Sequence, residues 1–199
     1  MADDVFIIET GVANIASMIV AFERLGAQPR LTDDAAHVAD GDFVVLPGVG
    51  AFGAGIERLE QLGMRDVLVE RVEAGKPLLA VCLGLQLLCQ TSEESPGVSG
   101  PGIIPAQVTR FAEDVRTPQF GWNEVAAQPG CRYLRSGYAY FANSYRLEDI
   151  PDGWHGATSD HGGPFVAAVE RGRTLACQFH PELSGSWGAE LLARWLGVE

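Results

Sequence analysis

The stretch Leu78-Leu79-Ala80-Val81-Cys82-Leu83-Gly84-Leu85-Gln86-Leu87-Leu88 decides the fold. Its first four residues are an unbroken apolar run, the pattern of a strand buried on both faces of a parallel sheet. From Leu83 onward the pattern turns helical. A cysteine therefore sits at a strand-to-helix junction, with small residues two before it (Ala80) and two after it (Gly84). Such a turn is sharp, so its neighbours must be small, and it aims the side chain out of the sheet toward whatever the helix N-terminus faces. On residue type alone Cys82 would be one more small buried hydrophobe; its position makes it a candidate nucleophile.

Upstream of that junction, short apolar runs alternate with helical patterns, the signature of βα units. Val5-Phe6-Ile7-Ile8 reads as a buried strand, and Ile15, Met18, Ile19, Phe22 and Leu25 recur at helical spacing before Gly26 supplies a stop. Phe43-Val44-Val45-Leu46 is another buried strand, followed by Pro47-Gly48-Val49-Gly50 and by a helix containing Ile56, Leu59, Met64, Val67 and Leu68, bent or interrupted at Gly63. Downstream, 92–105 is rich in Ser, Gly and Pro and reads as a surface loop. Shorter strands follow at 108–111, 122–125, 138–145, 165–169 and 175–179, several of them antiparallel, and Trp187, Leu191, Leu192, Trp195 and Leu196 mark an amphipathic helix that packs on the sheet. The expected fold is α/β: an open mixed, mainly parallel sheet flanked by helices, with a nucleophile elbow, in a single domain over 1–199.

Two further segments give Cys82 a chemical context. Phe179-His180-Pro181-Glu182 ends the apolar run 175–178. In an extended segment, side chains two apart share a side, so Glu182 is placed to orient His180 while His180 takes the proton of Cys82. A lone His-x-Glu is most often a surface hydrogen bond; with the cysteine junction it makes a Cys-His-Glu triad. Pro47-Gly48-Val49-Gly50 supplies two glycines where a backbone must bring N–H groups close to a developing oxyanion, although a plain turn would use the same residues. All three segments fall at strand C-terminal ends, where open α/β sheets bind ligands.

The bulk properties exclude several classes. With 199 residues, 47% of them hydrophobic, the chain can bury a core of its own. A net charge of −12 repels a phosphate backbone, so nucleic acid is not expected as a partner. The opening MADDVFIIE is acidic, with an apolar run too short for a signal peptide or a span, so no membrane association and a cytoplasmic location are expected. The four cysteines form no C-x-x-C pair and the four histidines are scattered, so neither a disulfide framework nor a structural metal is expected, and no cofactor is called for.

Taken in order, PGVGAF at 47–52, CLGLQLL at 82–88, FGWN at 120–123, YFANSY at 140–145 and QFHPE at 178–182 resemble the class I glutamine amidotransferases. Within them they are similar to the glutaminase subunits of imidazole glycerol phosphate synthase, which PGVGAF, GWN and AAVERG single out from other amidotransferases. The resemblance spans almost the whole chain. It implies Cys82 as nucleophile, His180 as general base and acid, and Glu182 as the residue orienting the histidine. It implies Gly48, Val49 and Gly50 as the oxyanion strand, with Leu83 adding its backbone N–H. Gln86 and Glu94 match positions that contact glutamine, and Ser144 and Tyr145 a segment whose backbone holds its amino acid end. The implied reaction hydrolyses glutamine through a cysteine thioester, and the ammonia passes to a separate (β/α)8 cyclase subunit in a heterodimer serving histidine biosynthesis.

Several positions depart from the family pattern. Asp-Tyr-Gly-x-Gly-Asn becomes Glu9-Thr10-Gly11-Val12-Ala13-Asn14, the glycine two before the nucleophile is Ala80, Gln119-Phe120 replaces the histidine-containing pair before Gly121-Trp122-Asn123, Asn143 stands where histidine is usual, and Leu183 replaces a lysine that faces the cyclase. Trp122 and Tyr138 read either as partner-facing or as core and edge aromatics. Two alternatives stay open at this point: a paralogous glutaminase feeding another ammonia-dependent synthase, and a non-catalytic regulatory subunit of the same fold.

Overall fold

The computed structural model describes residues 3–10 and 15–198; the Ala13 departure, with its neighbours Gly11, Val12 and Asn14, lies outside the described residues. In chain order the elements are β1 (Asp4–Ile8), α1 (Ile15–Arg24), β2 (Gln28–Thr32), α2 (Ala35–Asp40), β3 (Phe43–Leu46), α3 (Phe52–Gln61), α4 (Met64–Glu73), β4 (Leu78–Val81), α5 (Leu83–Leu87), β5 (Cys89–Ser92) and β6 (Ile104–Arg110). They continue with β7 (Gln119–Ala127), β8 (Gly137–Asn143), β9 (Tyr145–Arg146), β10 (His155–Asp160), β11 (Pro164–Arg171), β12 (Thr174–Cys177), a 3-10 turn (Pro181–Leu183) and α6 (Gly185–Leu196).

A nine-stranded sheet runs in the order β2-β1-β3-β4-β12-β11-β10-β7-β8, and β5, β6 and β9 form a smaller sheet. Strands β2, β1, β3, β4 and β12 pair in parallel; β11, β10, β7 and β8 extend the sheet through antiparallel pairings. This is the expected mixed α/β sheet flanked by helices. The two-residue period of the strands sends alternate side chains to two cores: Val5, Ile7 and Val45 join Phe22 and Trp195 of α1 and α6, while Val44 and Leu46 join Ile56, Leu59 and Leu68 of α3 and α4. No described helix is long and apolar enough to cross a membrane.

Some elements carry no sequence signal, for physical reasons. β2 is an edge strand with only Thr32 buried and a proline in it, so it has neither alternation nor an apolar run. In β10, Gly156 lies so close to the Ala168 carbonyl and the Ile150 side chain that a larger residue would not fit, which leaves the strand poor in apolar groups. Gly63, in the left-handed conformation, does interrupt its helix, separating α3 from α4.

The junction after β4 is held from two sides. β4 pairs with β3 (Leu46 opposite Ala80) and with β12 (Val81 opposite Cys177), and Cys82 N then donates to Cys177 O at 2.7 Å. Ala80 therefore sits in regular strand, and the glycine absent there is not needed for a positive φ. Gly84 is the position that admits no side chain: a Cβ there would stand 2.0 Å from the Leu46 carbonyl oxygen. Gly84→Ala is expected to lower unfolding stability by about 2 kcal/mol or more, read from the urea midpoint, because β3 and α5 must be pushed apart. A variant as stable as the parent would show that this contact relaxes freely.

Candidate active site

Cys82 has φ 56° and ψ −111°, and is the one non-glycine residue with positive φ among the described residues. A non-glycine residue in so sparsely populated a region costs on the order of 1–3 kcal/mol and persists only where its surroundings enforce it. Here the strand pairing on one side and the Gly84–Leu46 approach on the other enforce it, and the thiol is turned into a cleft. That cleft, about 190 Å³, is lined by Val49, Gly50, Cys82, Leu83, Gln86, Glu94, Ser144, Tyr145 and His180, together with Ala142 and Asn143. Its size is below the roughly 300 Å³ at which drug-sized sites begin, so it suits a single small metabolite.

The structure thus brings nearly every candidate residue to one cleft; Gly48 and Glu182 are not part of its lining but adjoin residues that are. Gly48 packs against Leu83, where a Cβ would meet the Leu83 Cβ at 2.9 Å, and its carbonyl accepts the Leu83 N–H at 3.2 Å. The Leu83 N–H expected in an oxyanion hole is consequently occupied by the protein itself. Glu94 reaches across to accept the Phe52 N–H at 2.6 Å at the start of α3, so its carboxylate is fixed at the cleft edge.

His180 and Glu182 do meet, with Nδ1 and Oε1 2.8 Å apart and both side chains nearly inaccessible. The means differ from the extended segment the sequence suggests. Pro181 begins a 3-10 turn, and this turn, rather than strand alternation, folds Glu182 back under the imidazole. Proline fits there because the first residue of such a turn needs no N–H partner. The histidine backbone is pinned as well: its N–H donates to Tyr140 O at 2.9 Å, while its carbonyl accepts from Ser184 Oγ at 2.6 Å. With Nδ1 on the carboxylate, Nε2 is left for Cys82.

Burial by itself would drive the proton off His180, but hydrogen bonds to Cys82 and Glu182, and the charges of both, outweigh it and push the pKa up to about 10. The other cysteines are set apart electrostatically. Burial raises the thiols of Cys89 and Cys177, and also that of Cys131, where Glu170 adds to the effect. All three are kept as inert thiols.

Sequence reasoning assigned no role to Gln178, which is wholly buried beside Cys82, although it lies inside the QFHPE motif. Its own signal was an amide at the end of an apolar strand. Among the described residues no cluster of side chains could hold a metal ion.

The His180 value carries a consequence for stability. It lies above the ordinary 6.5, so the folded chain holds that proton more tightly; the stabilisation is complete below 6.5 and is lost as pH rises through about 10. Glu182→Gln keeps the shape but removes the carboxylate charge facing Nδ1. It should destabilise the fold by roughly 1.5–3 kcal/mol near pH 6, with the gap to the parent closing toward pH 10 in urea unfolding. A gap that does not change with pH would contradict the ion pair.

The geometry has counterparts. The family model described as glutamine amidotransferase class-I matches residues 8–196. The imidazole glycerol phosphate synthase subunit HisH of Deinococcus radiodurans is 41% identical, over 98% of this chain and 93% of that protein. The subunit of the same name from Methanothermobacter thermautotrophicus is 38% identical, over 96% and 97%. A crystal structure of a glutamine amidotransferase superposes with a TM-score of 0.78 at 22% identity, covering 98% of this chain and 97% of that one. PurLQS from Thermotoga maritima does so with 0.75 at 16%, covering 99% of each. With a cysteine on a strained strand-to-helix turn, a buried His-Glu pair beside it and near-complete coverage by these relatives, the chain belongs to the class I glutamine amidotransferases.

Proposed function

We propose that this chain is the glutaminase subunit of an imidazole glycerol phosphate synthase, hydrolysing glutamine at Cys82 and passing the ammonia to a separate (β/α)8 cyclase subunit in histidine biosynthesis. The observation that carries the chemistry is the convergence of Cys82 and the His180–Glu182 pair on one small cleft. His180 takes the Cys82 proton, and sulfur attacks the carboxamide carbon. The tetrahedral oxyanion then collapses to a γ-glutamyl thioester as His180 returns the proton to the leaving ammonia. Water, deprotonated by His180, cleaves the thioester and releases glutamate. Glu182 holds the ring tautomer and the imidazolium charge throughout.

Oxyanion stabilisation is the step the structure holds back. The Leu83 N–H is bonded to Gly48 O, and turning the Gly48 carbonyl away would free it. Gly50, at φ 106° with no atom within 4 Å of a would-be Cβ, gives this strand a pivot. This supports a glutaminase that is slow alone and switched on when a partner settles against the oxyanion strand.

The partner reading rests on β7 and β8. Trp122 and Tyr138 are not core: they are 58% and 60% exposed, and Phe120 is 71% exposed. Trp122 pairs with Tyr140 and Phe120 with Ala142, so Phe120, Trp122, Tyr138 and Tyr140 share the sheet face on which Ala142 enters the cleft wall. Exposed aromatics of this kind are anchors of protein interfaces, and this patch adjoins the reacting thiol. Leu183, in the turn below His180, makes the same margin more apolar than a lysine would.

The deciding experiment measures glutamate release by the purified chain, alone and with the cyclase of the same genome and its ribonucleotide ligand. Strong activation by the cyclase is expected; activity indifferent to it would point to another synthase. Cys82→Ala should abolish release without loss of fold, and undiminished turnover would refute the nucleophile. Trp122→Ala should weaken the complex with the cyclase about tenfold or more in Kd, by titration calorimetry, leaving the isolated chain's folding unchanged.

A further inference from the structure

Gln178 stands between two groups of the reaction and takes no part in the chemistry derived above. Its Oε1 accepts from Gln86 Nε2 at 2.9 Å, and its Nε2 lies 3.8 Å from Cys82 Sγ as donor. The two contacts fix each other, because an amide whose oxygen receives Gln86 must turn its N–H toward the sulfur. The backbone of Gln178 is itself anchored, its N–H donating to Ala167 O at 2.8 Å. The ordering extends one residue further. Gln86 Nε2 also donates to Tyr145 O at 3.4 Å, a carbonyl that accepts Asn143 Nδ2 at 3.0 Å. Both amide hydrogens of Gln86 are thus spent within the wall. Its Oε1 remains as the atom available to a molecule in the cleft that Gln86 lines.

We propose that Gln178 is a positioning residue of the glutaminase: it presents Gln86 to the substrate as a hydrogen-bond acceptor for an N–H group, and it holds a donor on the Cys82 sulfur. A neutral amide suits this double task. An aliphatic side chain would leave the Gln86 N–H and the sulfur unpaired in a buried site, and a carboxylate would set a like charge beside the thiolate. The inference rests on the glutaminase reading for its substrate, but its contacts with Gln86 and Cys82 can be tested without turnover.

Gln178→Met keeps length and burial but removes donor and acceptor together. With the cyclase present, KM for glutamine should rise roughly three- to tenfold, the worth of one net hydrogen bond. In a cycle with Gln86→Met, the double variant should be no weaker in KM than Gln86→Met alone, because Gln178 acts on substrate through Gln86. Alkylation of Cys82 by iodoacetamide without glutamine should slow by a similar factor. Additive KM effects, or unchanged KM and alkylation in a folded Gln178→Met chain, would overturn the proposal; a purely structural role would move neither readout in this pattern. In the unmutated chain, the Gln178 side-chain amide protons should resist solvent exchange by NMR and shift when Cys82 is alkylated. Solvent-like exchange, or no shift, would overturn it even if the variant does not fold. If the unmutated chain released no glutamate with any cyclase, the glutaminase reading would fall, and alkylation and NMR would still judge the contacts of Gln178.

Discussion

The site depends on a backbone constraint at a single residue. Cys82 is held at a positive φ that an L side chain avoids, by the hydrogen bond from its N–H to Cys177 O and by the closeness of Gly84 to the Leu46 carbonyl. Both restraints come from the middle of the sheet, where β3, β4 and β12 lie side by side with every side chain buried. Strain of a few kcal/mol is tolerable only against such a support. The apolar sandwich therefore does more than stabilise: it converts hydrophobic burial into the orientation of one thiol.

The same central strands set the electrostatics. β12 lies parallel to β4, so the chain leaving β12 arrives beside the chain leaving β4, and His180 reaches the cysteine by strand order alone. Placing an imidazole there costs solvation, which the Glu182 carboxylate and the Cys82 sulfur return with interest in a site that water barely enters. The antiparallel extension has a different duty. β7 and β8 carry the exposed aromatics, and on the same face β8 contributes Ala142 to the cleft lining.

The departures from the family pattern sort by this frame. Ala80 is harmless because it sits in regular strand, and Asn143 turns its amide nitrogen onto Tyr145 O within the wall. Leu183 lies toward the surface we assign to the partner, where a change alters fit rather than chemistry, whereas Gln119, in the histidine's place, is buried in β7.

From sequence alone, the buried strands at 43–46 and 78–81, the helix after Cys82 and the terminal amphipathic helix were legible, because unbroken apolar runs and 3.6-residue spacing follow directly from burial. The strand-to-helix position of Cys82, the residue we assign as nucleophile, was legible as well, because the apolar run stops at it and the helical spacing begins just after it. Edge strand β2 and glycine-bearing β10 were not, since neither buries a patterned face. Nor could local sequence show that His180 and Glu182 meet through a 3-10 turn, that Gly48 occupies the Leu83 N–H, or that Gln178 bridges Gln86 to Cys82. Those contacts join residues far apart in the chain or depend on which way one peptide or amide is turned. Sequence settles which groups are present and which elements carry them; only the packed sheet decides which atoms they show to one another.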